Sequence, residues 1–260
     1  MRRLKLFIYA LDLFCNKAKA RAAKRIMKNA IITASTKGIG RAIAIAFAKQ
    51  GISLAICSRT DHELNAFAGE LTALNPAIKV FTAVTDCGDK QQVLAFAAAA
   101  EAHLGAIDII VNNAGMYSYS SILDDADDAF AKHVNINLGA AYELYRYFGK
   151  KMIAAGSGHI FNICSVAALN PIPASGIYSV TKYALLGLSK VMRLEMQEHG
   201  VKVTAIILGS TLTDSWKGMD VDPGKMVLPE DVAGAVINIY GMSIGANVDE
   251  IIIKPANGQV

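Results

Sequence analysis

Three side chains between Ser165 and Lys182 have the types and the spacing for acid–base chemistry on an oxygen atom. Tyr178 follows Ser165 by thirteen residues, and Lys182 follows Tyr178 by four. Residues four apart on a helix share a face, so the lysine ammonium would lie beside the tyrosine ring. A free phenol titrates near about pH 10, and a neighbouring ammonium favours its charged form. The pattern predicts a tyrosine that exchanges a proton with a substrate oxygen and a serine that polarises the same oxygen.

The same Tyr-x-x-x-Lys spacing occurs a second time, at Tyr147 and Lys151. Thirteen residues before Tyr147 lies Val134, which offers no hydroxyl, and no apolar strand pattern precedes that helix. We therefore interpret Tyr147 and Lys151 as a surface pair. Ser165, by contrast, follows the apolar run 158–164, which is typical of a strand and would place the serine at the strand's carboxyl end.

The elements that must position these side chains alternate from residue 29 onwards. Apolar runs that suit strands buried on both faces are separated by helical patterns, which indicates a parallel sheet covered on both sides. The sequence predicts one α/β domain over 28–260, with a seven-stranded parallel sheet and helices on both faces. The predicted strands are 30–33, 52–58, 78–84, 107–111, 160–164, 201–208 and 248–253. The predicted helices are 40–50, 61–74, 90–103, one or two over 125–154, 178–199 and 230–240.

The net charge of +4 is concentrated at one end of the 260-residue chain. Residues 1–28 hold nine Lys and Arg against one acid, so they carry +8 and the remainder carries −4. A mildly acidic body disfavours a nucleic-acid partner, and 53% hydrophobic with 18% charged residues excludes a disordered chain. The four cysteines lack paired spacing, which favours reduced thiols in a cytoplasmic protein. No metal site is predicted.

Residues 1–27 form a basic N-terminal extension that has three alternative explanations. Its apolar run is shorter than the roughly 20 residues that span a bilayer, and no small-residue cleavage site follows it. Residues 1–26 could form an amphipathic helix on an anionic membrane surface. They could instead be a flexible appendage, or lie upstream of a true start at Met27. We favour the last two over membrane association.

A glycine-containing turn, residues 33–40 (TASTKGIG), joins the first predicted strand to the first helix. Glycines at such a turn let the backbone approach a pyrophosphate, which binds at the helix N-terminus. After the second strand, where an acid would bind a ribose diol, the chain has Ser58 and Arg59. Arg59 and Lys37 together suit a 2′-phosphate and favour NADP(H) over NAD(H). The alternative is that both are solvated surface charges.

These motifs resemble those of the single-domain short-chain dehydrogenase/reductase family, over residues 28–258. Residues 33–40 resemble the family's TGxxxGIG turn, with Ala34 replacing the first glycine, and residues 112–115 match its NNAG motif. The resemblance implies a Rossmann-type doubly wound fold. The chain's ending is similar to that of sepiapterin-reductase-like and general carbonyl-reducing members.

The resemblance also implies a role for each matched residue. Tyr178 would exchange the proton, Ser165 would stabilise the substrate oxygen, and Lys182 would assist Tyr178 and hold the nicotinamide ribose. Asn137 would position a water that relays protons to Lys182. These four residues form the implied catalytic set.

Residues of the implied cofactor site come from several motifs. Asp86 and Cys87 would hold adenine, and residues 208–213 resemble PGxxxT, so Thr213 would hold the nicotinamide carboxamide. The full implied set is Ser35, Thr36, Lys37, Gly38, Ile39, Gly40, Arg59, Asp86, Cys87, Asn113, Ala114, Gly115, Tyr178, Lys182, Gly209, Thr211 and Thr213.

Two departures from the family pattern carry their own expectations. Ala34 must keep a negative φ or tolerate strain, so we expect a slightly reshaped turn. Leu208 replaces the proline of PGxxxT and is expected to loosen one loop.

The resulting hypothesis is an enzyme that reduces a small carbonyl compound to an alcohol with NADPH. Two alternatives remain: a non-catalytic NADP(H)-binding or sensing protein on the same fold, and an acyl-carrier-protein-linked 3-oxoacyl reductase. The substrate pocket wall is predicted to consist of residues 213–229 with Met116, Tyr117, Tyr119 and residues 169–174. Helix 178–199 is apolar or small around more of its circumference than one sheet contact needs. It therefore predicts dimers or tetramers, together with the 125–154 region.

Overall fold

The computed structural model describes residues 28–216, 218 and 220–258. The N-terminal extension, with Cys15, lies outside these residues, as do Lys217 and Met219 of the predicted pocket wall. The strands are β1 (Asn29–Ile32), β2 (Ser53–Ser58), β3 (Val80–Val84), β4 (Ile109–Asn112), β5 (Gly158–Ser165), β6 (Val201–Leu208) and β7 (Glu250–Ile253). The main helices are α1 (Gly38–Lys49), α2 (Asp61–Leu74), α3 (Lys90–Leu104), α4 (Ala129–Val134), α5 (Ala140–Ala155), α6 (Gly176–Met196) and α7 (Pro229–Tyr240).

All seven strands of this sheet run parallel, in the order β3-β2-β1-β4-β5-β6-β7. β1 lies in the interior of the sheet. From it the chain passes outward through β2 to the edge strand β3, then crosses to β4 on the other side of β1 and continues outward to β7. Strand order reverses between β1 and β4, where Ile32 pairs with Val111. A crevice at the carboxyl ends of these two strands is where ligands of such sheets bind. The predicted doubly wound, seven-stranded Rossmann-type fold is confirmed.

Two apolar layers cover the sheet, because successive residues of each strand point to opposite faces. Ile32 of β1 packs in a cluster with α1, α2 and α7, whereas its neighbour Ile31 packs in a second cluster with α3, α5 and α6. Both isoleucines are fully buried. Burial on both faces explains why the strands are apolar throughout rather than alternating.

The predicted 125–154 region divides into more elements than one or two helices. A short 3-10 turn, Ile122–Asp124, precedes α4, and a single π-helical turn, Asn135–Gly139, joins α4 to α5. Such π turns insert one extra residue and reorient side chains, often at functional sites. Here the turn carries Asn137 into the interior, where it is buried.

Leu208 does not loosen a loop, so that expectation is wrong. The leucine is the last residue of β6, is buried, and pairs in register with Ser165 on one side and Ile253 on the other. A proline could not donate to this ladder, whereas leucine extends it and fills the core. None of the helices among the described residues has the length and apolar character needed to cross a membrane.

Candidate active site

Tyr178 and Lys182 occupy the first two turns of α6, which starts at Gly176. The lysine Nζ lies 5.7 Å from the centroid of the tyrosine ring. Lys182 is buried, with 5% exposure, and its Nζ donates a hydrogen bond to the carbonyl oxygen of Ile163 at 2.9 Å. Within the described part of the chain no carboxylate pairs with this ammonium. Its positive charge is therefore available to act on the neighbouring phenol.

Ser165 ends β5, two residues after the carbonyl that binds Lys182. Its Oγ accepts a hydrogen bond from the backbone N–H of Ala167 at 3.1 Å. Because that bond uses the oxygen as acceptor, the hydroxyl proton remains free to be donated. The serine is buried, so a donated bond would act in a partly dry environment, where it is stronger than in water.

Asn137 ties the loop after β4 to α6. Its Oδ1 accepts from the backbone N–H of Met116 at 2.7 Å, and its Nδ2 donates to the Met116 carbonyl at 3.1 Å and to Thr181 Oγ1 at 2.9 Å. No motif in the sequence pointed to Thr181. A Cβ on Gly115 would lie 3.5 Å from both Asn137 Oδ1 and Lys182 Nζ, so the glycine keeps the space between them open. The relay-water role of Asn137 stays a prediction.

The turn after β1 is tightly bonded to the end of β4. Asn113 Nδ2 donates to the carbonyl oxygens of Thr33 and Ala34, at 3.0 and 2.9 Å. Thr33 Oγ1, which the sequence analysis did not single out, accepts from the backbone N–H groups of Asn113 and Ala114. A Cβ on Gly40 would lie 2.5 Å from Asn113 Nδ2 and 2.7 Å from the Ala34 carbonyl oxygen, so only glycine fits there.

Ala34 resolves the two possibilities stated for its backbone. Its φ is +52°, so the residue keeps the left-handed conformation that suits glycine and tolerates the strain.

At the N-terminus of α1 no side chain caps the first turn. The unpaired N–H groups of such a turn, with the helix dipole, favour an anion.

Lys37 and Arg59, the two cations predicted to bind a ribose 2′-phosphate, differ in whether an acidic side chain pairs with them. Lys37 Nζ lies 2.7 Å from Glu63 Oε1, and Thr36 Oγ1 donates to Glu63 Oε2 at 3.3 Å. The hydrogen bond between them raises the pKa of Lys37 and lowers the pKa of Glu63. Glu63 was not foreseen. Arg59 is exposed and forms no ion pair within the described ranges.

The predicted adenine residues lie in the loop after β3. Asp86 Oδ1 accepts from the backbone N–H of Gly88 at 2.8 Å, and the Asp86 N–H donates to Gln92 Oε1 at 2.9 Å. Cys87 is half-buried, and its Sγ lies 4.0 Å from Sγ of the buried Cys57. Cys57, Cys87 and Cys164 are free thiols.

A cavity of about 420 Å³ lies between the segment after β6 and the glycine-containing turn of residues 33–40. Its lining includes Gly38 on one side and Thr213 and Trp216 on the other. Thr211 Oγ1 donates to the Gly209 carbonyl at 3.0 Å, which shapes this segment. Gly38 and Thr213, one predicted cofactor residue from each segment, therefore border one space. Tyr119, by contrast, is 75% exposed and faces solvent.

A family model described as short chain dehydrogenase matches residues 28–223. The chain belongs to the short-chain dehydrogenase family. It is 32% identical over 238 residues to the sepiapterin reductase of Chlorobaculum tepidum, covering 88% of this chain and 97% of that protein. The family resemblance drawn from the motifs, including the likeness to sepiapterin reductase, is thereby confirmed.

Two solved structures show how far this short-chain dehydrogenase shares its fold. The L-sorbose reductase of Gluconobacter frateurii, complexed with NADPH and L-sorbose, has a TM-score of 0.81 and 27% identity over 88% of this chain and 95% of that one. The alcohol dehydrogenase of the archaeon Thermococcus sibiricus, complexed with 5-hydroxy-NADP, has a TM-score of 0.82 and 25% identity over 90% of this chain and 99% of that one. The short-chain dehydrogenase is thus an oxidoreductase of this fold.

Proposed function

We propose that this short-chain dehydrogenase reduces a carbonyl group of a small molecule to an alcohol with NADPH. The observation that carries the proposal is the buried Lys182 ammonium, which has no carboxylate partner in the described ranges and lies 5.7 Å from the Tyr178 ring centroid. Burying a charge without an ion-pair partner costs free energy. The position of this ammonium beside a phenol therefore supports a role in the chemistry of that phenol.

The protein's own groups manage the proton and the oxygen. Tyr178 donates its proton to the carbonyl oxygen as negative charge develops there, and Lys182 stabilises the phenolate that remains. The Ser165 hydroxyl donates a hydrogen bond to the same oxygen and stabilises the negative charge on it. When bound, the nicotinamide cofactor supplies the hydride that the carbonyl carbon accepts. Asn137, which contacts α6 through Thr181, would then assist the return of a proton by way of Lys182 to the Tyr178 phenolate.

Several features of the chain fit a nicotinamide dinucleotide. The uncapped N-terminus of α1 suits the pyrophosphate, Gly38 and Gly40 let it approach, and Asn113 holds the turn. The cavity beside Thr213 gives room for the nicotinamide end. The solved relatives contain NADPH and a hydroxylated NADP.

NADP(H) is the cofactor that the charges favour, with one qualification set by Glu63. Arg59 has no acidic partner among the described residues, so it is free to bind a 2′-phosphate. Lys37 must share its charge between that phosphate and Glu63, from which it lies 2.7 Å. We infer that Arg59 supplies most of the preference.

Self-association is part of the same proposal and rests on α6. The exposed face of this helix presents Val180, Tyr183, Val191 and Leu194, with exposures between 42% and 68%. These residues recur at three- and four-residue multiples and form one apolar stripe. Gly187 lies on the same helix, and nothing lies within 4 Å of where its Cβ would be, so another helix could approach closely. The stripe fits a second copy of the chain, as a dimer or a tetramer.

The decisive experiment compares two tyrosines that share one local pattern. Wild-type protein, Tyr178→Phe and Tyr147→Phe are mixed with NADPH and a panel of aldehydes, ketones and 3-oxoacyl thioesters, and nicotinamide absorbance is followed. We expect Tyr178→Phe to lose at least about a thousandfold in turnover while it still binds NADPH. Tyr147 is the matched control, because it donates to Glu101 on α3 and stacks beneath Lys151.

Three outcomes distinguish the alternatives. Turnover that survives in Tyr178→Phe would overturn the assigned chemistry. A wild-type protein that binds NADPH and reduces no carbonyl in the panel would favour the non-catalytic binding protein. Reduction confined to 3-oxoacyl thioesters would favour the acyl-carrier-protein-linked reductase.

A further inference from the structure

A second tyrosine, Tyr117, stands against the catalytic one. The two rings meet edge to face, with centroids 5.0 Å apart and an interplanar angle of 77°. Tyr117 follows Met116, whose backbone binds Asn137, so the loop passes from the catalytic asparagine directly to the Tyr178 ring. Tyr117 is 39% exposed, so part of its surface is accessible beside the Tyr178 ring.

The Tyr117 hydroxyl is fixed in place by Ser175, the residue that precedes α6. Ser175 is fully buried, and its Oγ donates a hydrogen bond to Tyr117 Oη at 2.8 Å. This bond uses the tyrosine oxygen as acceptor. In the described part of the chain no group accepts the proton of the Tyr117 hydroxyl. The phenol is therefore oriented by the protein and still has one hydrogen bond to donate.

The loop that carries Tyr117 is attached to α6 at two further points. The backbone N–H of Gly176 donates to the Ser120 carbonyl at 3.1 Å. Ile122 packs on Gly176 so closely that a Cβ there would lie 2.5 Å from Ile122 Cγ1. With three attachments beside Tyr178, the position of Tyr117 relative to the reacting oxygen is set by packing. A pre-positioned donor loses little freedom when a substrate binds.

We propose that Tyr117 determines substrate specificity by donating a hydrogen bond to a second oxygen of the substrate. The proposal rests on the proposed function. Tyr178 and Ser165 must bind the carbonyl oxygen so that Tyr117 can bind an oxygen on the adjacent carbon of the substrate. The favoured substrates carry a hydroxyl or a second carbonyl on the carbon next to the one reduced. A site with a fixed donor rejects analogues that leave the donor unpaired, whereas an apolar wall discriminates weakly.

The test uses two ketones that differ by one hydroxyl, butan-2-one and 3-hydroxybutan-2-one. The ratio of their kcat/KM values is measured for wild type, Tyr117→Phe and Tyr142→Phe. Intrinsic reactivity differences cancel when ratios are compared between proteins. Tyr142 is a matched control because its exposed ring lies on α5, 5.9 Å from the Arg146 guanidinium carbon.

Tyr117→Phe keeps the ring and removes the donor. We expect its kcat/KM for the hydroxyketone to fall about ten- to hundredfold, which corresponds to one lost hydrogen bond in a partly dry site, while that for butanone changes less than about threefold. Tyr142→Phe should change neither value. Unchanged NADPH affinity in Tyr117→Phe shows that the variant is folded.

Two results would overturn the proposal while leaving the proposed function intact. One is an equal loss for both ketones, which would make Tyr117 a packing partner of Tyr178. The other is a Tyr117→Phe variant that keeps the wild-type kcat/KM for both ketones. A wild-type protein that binds NADPH and reduces neither ketone nor any other carbonyl would instead overturn the proposed function, and this inference with it.

Discussion

Asn113 donates a hydrogen bond to the carbonyl oxygen of Ala34 across 2.9 Å and holds that residue at a φ of +52°. The two residues are far apart in the chain and meet only because β1 and β4 are neighbours in the sheet. The bond explains how alanine can occupy a turn position that suits glycine. The left-handed conformation costs an alanine about 1–2 kcal/mol, which the surrounding bonds offset.

Ala34→Gly should therefore stabilise the protein. The glycine relieves the strain but loses more chain entropy on folding, so we expect a net gain of up to about 1 kcal/mol in the free energy of unfolding. Urea denaturation measures it. Ala30→Gly, in the preceding strand β1 and with a buried side chain, serves as the control and should be destabilising. A loss in Ala34→Gly equal to that in Ala30→Gly would show that the turn stores no strain.

Glu63→Gln should strengthen NADPH binding. Removing the carboxylate frees Lys37 for the 2′-phosphate and removes a repulsive charge, so we expect the NADPH dissociation constant to fall about three- to tenfold at low salt. The NADH constant should change little. Glu70→Gln is the matched control, because it removes the same charge from α2 and its partner is Arg41 instead. A parallel change for NADH would place Glu63 away from the phosphate.

Arg59→Ala should weaken NADPH binding about tenfold and leave NADH binding nearly unchanged. The reason is that Arg59 is the exposed cation without an acidic partner in the described ranges, next to the predicted ribose site. Fluorescence titration with both cofactors measures the preference. If the ratio of the two dissociation constants does not move, Arg59 is a solvated surface charge.

His159 should make the protein sensitive to mild acid. Burial lowers its pKa to about 3, from 6.5 in the unfolded chain. The unfolded state then binds one more proton than the folded state between these values, so stability rises with pH through this window and is lost as pH falls below about 6.5. This group contributes a slope of up to about 1.4 kcal/mol per pH unit.

The measurement is the free energy of unfolding in urea at several pH values between 4 and 8. His159→Gln should flatten the acid side of the curve, because glutamine can still bond Thr204, the 2.9 Å partner of the imidazole, without taking up a proton. The exposed His199 gives the control His199→Gln, which should leave the slope unchanged. A slope preserved in His159→Gln would assign the acid sensitivity to other groups.

Leu194→Asp should dissociate the assembled protein. The side chain is 68% exposed at the C-terminal end of the apolar stripe on α6, and a carboxylate there would be buried without a partner between copies. Light scattering after size-exclusion chromatography measures the mass. Leu74→Asp on α2, also exposed, should not change it. A wild-type protein that elutes as a monomer would refute self-association through this face.

Some of the site follows from local sequence alone. Ser165, Tyr178 and Lys182 could be placed because a strand end and a helix repeat have fixed periods, which short-range sterics and backbone hydrogen bonds set. Apolar runs without alternation likewise predicted a parallel sheet of seven strands buried on both faces. Most element ends lie within two residues of their predicted positions, and a few shifted by three or four, since helix and strand termini depend on neighbours.

Tertiary structure decided what no local period encodes. Glu63 reaches Lys37, Tyr117 reaches Ser175, and Asn113 reaches Ala34 only because the sheet brings distant loop ends to one edge. From the sequence, Leu208 was expected to loosen a loop, because it replaces the proline of a loop motif. In the structure its pairing with β5 and β7 makes it the last residue of a strand. Sequence therefore determined the candidate groups on which the proposed chemistry rests. The register of the strands determined which charges and hydroxyls surround them, because loop conformation depends on long-range contacts that sequence spacing does not express.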